Sequence, residues 1–384
     1  MIKIKLTAIV AFLVLMSYMS CKKDPPVSGE KTEMDILKEH LHIPEIPYNY
    51  ASPDLPGFFK DQFITVQNNT PANNKVTDWG ATLGRVLFYD TRLSMNHTIA
   101  CASCHIQKFG FTDTSVLSKG FKGGLTKRHS MSLNNAVFYI SGRFFWDERA
   151  ATLEDQVLMP IQDTLEMGMT LDTLVNRLKQ TPFYPILFKY AFGTADINSQ
   201  TISKALAQFV RSMISYRSKY DIGRANANTK IEDFNNFTLE ENLGKFIFMT
   251  HPKVNCSGCH TTDAFIMDNP RNNGLSVTNN DVGTFTHTNY NRDIGKFKSP
   301  SLKNIALRAN FMHDGKIRGL QNVINHYDLA IQPNPNLDPH LIDTNTGQPI
   351  TMNLSVTEIN ALLAFLQTLT DDALIKDVKF SSPF

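Results

Sequence analysis

Cysteine is scarce in this chain: 384 residues contain five. That excludes a disulfide-stapled scaffold, so the fold must rest on a hydrophobic core and on whatever the few thiols hold. A charge of one sign is also missing. Lys+Arg 38 against Asp+Glu 36 leaves +2, which excludes the basic surface of a nucleic-acid binder and the acidic tract of a solvating tail. Sustained alternation of apolar and polar residues is absent, which speaks against a strand-built domain. Long apolar runs are absent after the first twenty residues. With 42% hydrophobic and 19% charged residues, intrinsic disorder, collagen-like repeats and a long coiled coil are excluded as well. The length suits two ordinary domains or one large one.

The single apolar run is Met1–Ser20, with Lys3 and Lys5 ahead of Leu6–Ser17. It is too short and wrongly flanked for a stable membrane span and fits an export signal. It ends at Ser20-Cys21-Lys22-Lys23-Asp24, which resembles the lipobox of bacterial lipoproteins, where Cys21 would be lipidated after cleavage. Tyr18 and Met19 depart from the usual Leu-Ala-type residues, and the competing reading is an ordinary secretory signal with Cys21 removed or inert. Both readings place the protein outside the cytoplasm, periplasmic or at the cell envelope.

Residues 21–77 read as a tether and an irregular segment rich in proline and asparagine, with order beginning near Asp78-Trp79-Gly80. An internal echo follows. Leu83-Gly84-Arg85-Val86-Leu87-Phe88 precedes one cysteine pair, and Leu243-Gly244-Lys245-Phe246-Ile247-Phe248 precedes the other. One helix leading into a cysteine loop, used twice, implies two related domains. Ile202, Ala205, Leu206, Phe209, Val210, Met213 and Ile214 recur at helical spacing. Thr238 with Glu241, and Ser355 with Glu358, read as capping boxes that open helices. Residues 266–295 and 331–350 are rich in Asn, Asp, Gly, Pro and Thr and read as long loops. The polar stretch Asp221–Asn236 is the expected boundary, giving domains 78–225 and 226–384.

The chemistry lies in Cys101-Ala102-Ser103-Cys104-His105 and Cys256-Ser257-Gly258-Cys259-His260. Two thiols three residues apart reach the two vinyl groups of one haem and form thioethers, and the adjacent imidazole coordinates the iron. A lone motif of this kind also fits zinc or a thioredoxin-like pair. Two of them, using all four cysteines beyond the leader, point to two covalently bound haem c groups. The fold class expected is therefore mostly α, with two cytochrome-c-like haem domains and long irregular loops. Each haem keeps one open axial position, whose occupant decides between electron transfer and peroxide or oxygen chemistry.

From Leu83 to Leu369 the chain resembles the bacterial di-haem cytochrome c peroxidase family, including its MauG-like branch. The resemblance rests on Leu83–Asp90 with Arg92-Leu93-Ser94, both haem motifs, and Phe109-Gly110-Phe111-Thr112-Asp113. It continues in Phe145-Trp146-Asp147-Glu148-Arg149-Ala150, Pro160-Ile161 with Glu166-Met167-Gly168, Phe297–Leu302, and Phe311-Met312-His313-Asp314-Gly315. It implies that peroxide reacts at the haem on His105 and that the haem on His260 exchanges electrons. It also implies a catalytic glutamate at Glu166 with a companion glutamine at Gln156, and a tryptophan between the haems at Trp146. A carboxylate over an open iron face can take a proton from one peroxide oxygen and return it to the other. The resemblance further implies H2O2 as substrate, a small c-type cytochrome or similar electron donor, and a homodimer.

Three departures from the family pattern matter. Where typical members place a distal histidine near the first haem, this chain has Lys119-Gly120-Phe121, so that haem is expected to be open or water-bound at rest, with His129 the competing ligand. Where typical members supply a methionine to the second haem, the position falls on Tyr327, as in the MauG-like branch, with His326 as competitor. A phenolate favours ferric and higher states, whereas methionine raises the potential. Finally, the family's inter-domain Ca²⁺ uses an asparagine side chain and backbone carbonyls. Here those positions are His129, Arg308 and Asn310, and a histidine does not suit an ion that prefers oxygen unless Asn134 or Asn135 substitutes. The resulting expectation is a peroxidase. Its rivals are MauG-like oxidation of residues in a partner protein and a non-catalytic di-haem carrier or redox sensor.

Overall fold

The computed structural model describes residues 31–252 and 256–384; the stretch expected to be an export signal, Cys21 and the start of the expected tether lie outside them. The protein is mostly helical, with only two small two-stranded sheets among the described residues. Helix α1 (Glu33–His40) opens with a capping box in which Thr32 accepts from the Asp35 backbone and Asp35 accepts from Thr32. Helices α2 (Asp78–Tyr89) and α3 (Ser199–Arg211) cross in the first half. Helices α4 (Leu239–Thr250), α5 (Leu320–Leu329) and α6 (Val356–Gln367) build the second. Both capping boxes read from the sequence open helices, at Thr238 and Ser355.

The sequence echo is a packing device. A β-carbon on Gly84 of α2 would lie 2.0 Å from the Ala205 carbonyl oxygen of α3, with Phe209 Cβ at 2.7 Å. A β-carbon on Gly244 of α4 would lie 1.8 Å from the Ala361 carbonyl oxygen of α6, with Phe365 Cβ at 2.9 Å. Each unit thus seats a glycine of one helix against an Ala-x-x-x-Phe ridge of another, a backbone approach that any side chain would block. The copies differ at their first residue: Leu83 is fully buried, while Leu243 is exposed beside Leu239 and Phe246 on an outward face.

The cores cross the expected boundaries. Leu37, Leu41, Ile43, Tyr50, Phe58 and Phe59 are buried in the first core, so order begins well before Asp78. Those apolar residues sit between prolines and asparagines, which hid them from any periodicity argument. At the other end, Leu374 and Phe380 return to the first core. There His42 N–H donates to the Pro383 carbonyl at 2.6 Å, and Arg85 and Tyr89 donate to the carbonyls of Ser381 and Phe380. Conversely Tyr220, in the helix Lys219–Ala225, is buried in the second core with Phe234, Phe248, Phe265 and Phe365. Tyr220 thus packs with the second half although it precedes residue 226.

Candidate haem sites

The two halves repeat beyond the helices. Asn135 and Asn304 are both left-handed (φ +61° and +60°), and each caps a short 3-10 turn. Asn135 N–H donates to Met213 and its Oδ1 accepts from Ser215 N–H; Asn304 N–H donates to Leu369 and its Oδ1 accepts from Asp371 N–H. Phe111 and Phe265 are likewise left-handed (φ +58° and +55°), as are Phe145 and Met312 (both +70°). Such backbone is costly for non-glycine residues and clusters at functional sites. Here it turns two equivalent sets of loops around two cavities.

The first cavity is lined by Cys101, Cys104, His105, Gln156, Pro160, Glu166 and Met167, with Lys119 and Gly120. His105 Nδ1 donates to the Phe111 carbonyl at 3.0 Å and lies 3.2 Å from Ser130 Oγ. That bond fixes the ring and leaves Nε2 free to ligate iron. Burial holds the imidazole below its ordinary pKa, against the opposing pull of the Phe111 carbonyl, so it is neutral. Burial also lifts the Glu166 carboxyl to about 7, helped by Asp163 and opposed by Arg149. No described residue hydrogen-bonds that carboxyl, so it points into the cavity unengaged. Glu166 and Gln156 line the same cavity as this cysteine pair. His129 does not line this cavity. Its Nδ1 is 3.0 Å from the Val116 carbonyl and its Nε2 3.4 Å from Thr112 Oγ1.

The second cavity is larger and is lined by Cys256, Cys259, His260, Met312, His313 and Tyr327. Helix α5 presents Leu320, Val323, Ile324 and Tyr327 to it, one stripe at helical spacing. His326 lies off that stripe, with its Nε2 3.1 Å from the Asn273 carbonyl, so the structure separates the two competitors. Burial pushes the Tyr327 hydroxyl up to about 12, against the Asn273 amide, which lowers it. Asn273 Nδ2 reaches both Tyr327 Oη at 3.4 Å and Met312 Sδ at 3.3 Å. Met312 is a neighbour the sequence reading did not single out, although its motif was in view. His260 is held down to about 4 by burial. Its Nδ1 lies near the Phe265 and Pro300 carbonyls without a well-formed hydrogen bond.

Each cysteine pair thus faces its own cavity with one neutral imidazole. Among the described residues no group of three or more His, Cys, Asp or Glu side chains is placed to hold a metal ion, so neither pair completes a tetrahedral zinc site. Burial raises Cys101, Cys104 and Cys256 to about 12, 11 and 12, opposite to the lowered values of thioredoxin-like pairs. The donor sets fit thioether attachment with one axial histidine.

Between the cavities, Trp146 Nε1 donates to the His129 carbonyl at 2.8 Å, and Lys298 N–H donates to the Trp146 carbonyl at 2.8 Å. Trp146 lines the second cavity and not the first. Lys298, fully buried, pairs with Glu148 at 2.7 Å, and Arg128 bridges Asp147 at 2.6 Å and Asp281 at 2.7 Å. His129, Arg308 and Asn310 also meet here, and the histidine at the expected asparagine position does not suit calcium. His129 offers nitrogen already engaged with Val116 and Thr112. The Arg308 guanidinium, donating to the carbonyls of Ser301 and Lys303, is itself a cation close enough to depress His129. Asn310 Nδ2 donates to the Thr114 carbonyl at 2.7 Å. Asn134 and Asn135 do not line the cavity; Asn135 Oδ1 accepts from Ser215 N–H, while Asn134 donates Nδ2 to Gly110 and keeps a buried Oδ1 with no partner among the described residues. Calcium takes six to eight oxygens, and a fixed cation already stands among these residues.

Two covalent-haem pockets on a duplicated helical frame define a di-haem c-type cytochrome. Residues 79–228 match the family model described as di-haem cytochrome c peroxidase. The methylamine utilization protein MauG of Methylophilus methylotrophus is 32% identical over 79% of this chain and 86% of its own length. The cytochrome c551 peroxidase of Nitrosomonas europaea is 28% identical over 79% and 82%. The crystal structure of a MauG-like protein associated with microbial copper homeostasis superposes with a TM-score of 0.73 at 31% identity, covering 86% of this chain and 99% of that one. The chain belongs to the di-haem cytochrome c peroxidase family, on its MauG-like side, and is a peroxidase-type oxidoreductase with two haem c groups.

Proposed function

We propose that this protein reduces H2O2 to water at the His105 cavity, drawing electrons from a small c-type cytochrome or similar donor through the His260 cavity. The observation that carries this reading is Glu166: a half-buried carboxyl, raised to about 7 and free of hydrogen bonds from described residues, in the same cavity as Cys101, Cys104 and His105. The haem bound there supplies the iron at which peroxide is reduced. Glu166 takes the proton from one peroxide oxygen and delivers it to the other, a transfer that a group of pKa near the working pH performs best. Gln156, as an amide, holds peroxide without competing for the proton. His105 Nδ1, tied to the Phe111 carbonyl, keeps neutral and oriented the imidazole that would hold the iron. Tyr327, in the cavity of Cys256, Cys259 and His260, would hold the iron of the haem bound there. Trp146, laced by backbone bonds to His129 and Lys298, stands on the electron path between them. The junction at His129 and Arg308 works without calcium.

The second reading, oxidation of residues in a partner protein, is favoured by Tyr327 at the second cavity and by the MauG relatives. The protein is exported and held at the cell envelope through Cys21. Stopped-flow absorbance on the fully ferric protein tests the main reading. Rapid reaction with H2O2 followed by catalytic consumption of ferrocytochrome c supports it. Rapid reaction without turnover by any small cytochrome moves the assignment to the partner-oxidising reading. No reaction with peroxide, with both haems six-coordinate, leaves an electron carrier or sensor.

A further inference from the structure

The His105 cavity has a wall with no assigned role, the hairpin 119–125. Lys119 pairs with Leu125, Gly120 N–H donates to the Gly124 carbonyl at 2.8 Å, and Gly123 N–H donates to the Gly120 carbonyl at 2.9 Å. Ser118 and Thr126 close its base: Thr126 N–H donates to the Ser118 carbonyl at 2.9 Å and Thr126 Oγ1 accepts from Ser118 N–H at 3.0 Å. One side of this hairpin lies directly on the turn that carries Glu166.

The fit between the two is tight at several points. Phe121 N–H donates to the Glu166 carbonyl at 2.8 Å, and Asn96 Nδ2 fixes the Phe121 carbonyl at 2.7 Å. A β-carbon on Gly120 would stand 1.6 Å from the Leu165 carbonyl oxygen and 3.0 Å from that of Glu166. A β-carbon on Gly168, at φ +63°, would stand 2.3 Å from the Phe121 ring. The turn itself is closed by Glu166, Met167 and Gly168 N–H groups, all donating to the Asp163 carbonyl. Since the Glu166 carboxyl has no hydrogen bond to a described residue, its place at the cavity is set through its backbone, and the hairpin is what grips that backbone.

The geometry points to Gly120 and Phe121 as positioning residues for Glu166, the hairpin acting as a fixed clasp that holds the carboxyl at the His105 cavity. The inference rests on the proton-transfer role proposed for Glu166. A displacement of about 1 Å in a reacting group can cost on the order of 10²-fold in rate, and a methyl group forced between Gly120 and Leu165 must move one backbone or the other.

The test compares two alanines in the same hairpin, in the holoprotein with both haems attached. Gly120→Ala introduces the clash, whereas a β-carbon on Gly124 would meet only Leu165 Cδ2 at 3.7 Å, an ordinary contact. Gly120→Ala is expected to slow the stopped-flow reaction with H2O2 at least about tenfold. It should also move the acidic limb of its pH profile downward, as water reaches Glu166 between Asp163 and Arg149. Gly124→Ala should stay within about twofold of the parent. Haem content by mass and the thermal midpoint should match the parent in both. A Gly120→Ala protein with parental rate and pH profile overturns the proposal, and so does equal slowing in both variants. Should Gly120→Ala fail to retain both haems, Asn96→Ala loosens the Phe121 tie, losing besides it only the exposed bond from Thr98 Oγ1, and carries the same expectation, and a parental profile there overturns the proposal. Glu166→Gln reacting at the parental rate removes the underlying reading of Glu166 instead.

Discussion

The pH dependence of the peroxide reaction follows from one carboxyl. Glu166 must be ionised to accept the first proton, and its pKa is raised to about 7, chiefly by burial and secondly by Asp163, with Arg149 pulling the other way. The ionised fraction is then about 10% at pH 6 and about 90% at pH 8. The second-order rate constant for H2O2 should therefore rise roughly ninefold across those two units with an apparent pKa near 7. The sign of each neighbour's effect gives an internal check. Asp163→Asn removes a negative charge that disfavours ionisation, so the limb should move to lower pH, raising the rate at pH 6 and leaving it unchanged at pH 8. Replacing Arg149 by glutamine should move the limb the other way. Glu166→Gln should abolish the limb and lower the plateau by about 10²-fold or more while both haems stay attached. Stopped-flow absorbance between pH 5 and 9 measures all four proteins. A profile flat from pH 5 to 9 in the parent, or a limb unmoved by Asp163→Asn, would refute the assignment of Glu166 as the proton carrier.

Three further outcomes are expected. Tyr327→Phe should leave two covalent haems by mass but change the low-spin ferric spectrum of one, whereas His326→Ala should not; the reverse result would make His326 the ligand. Lys298→Met should take away the Lys298 partner of the buried Glu148 carboxylate and lower the thermal midpoint, with much of the loss recovered in Lys298→Met/Glu148→Leu. Chelation with EDTA, followed by added Ca²⁺, should leave the haem spectra, thermal midpoint and peroxide rate unchanged; calcium-dependent recovery of any of them would contradict the reading of His129 and Arg308.

The helices and haem loops were legible because their signals are local. Helical spacing in 202–214, two capping boxes and two five-residue motifs each depend on residues close in sequence; the capping boxes open helices, and the helix of 202–214 forms but ends at Arg211, leaving Met213 and Ile214 beyond it. Glu166 and Gln156 came from resemblance, and no local pattern would have set that carboxylate apart from a solvated acid. What stayed hidden depends on distant partners. The apolar residues of 33–59 follow no period because they are buried by contact with α2, α3 and the C-terminal residues rather than along one helix face. The second repeat, Ser132-Leu133-Asn134-Asn135 against Ser301-Leu302-Lys303-Asn304, was readable but went unread beside the more conspicuous helix echo. The clasp on Glu166 could not be read at all, since its content is the space between two backbones.

The return of the last residues to the first core changes what the two halves are. Gln107, two residues beyond His105, donates its side-chain amide to the carbonyls of Leu374 and Asp377, so the first haem loop is buckled by the end of the chain. The halves are interlaced rather than strung like beads. Closing the first unit joins segments separated by more than 260 residues, a non-local step that belongs late in folding. A proteolytic cut anywhere between the halves would therefore not release a complete first unit. Trimming the C-terminus behind Asp371 would loosen the ground under Cys101 and His105, at the opposite end of the sequence.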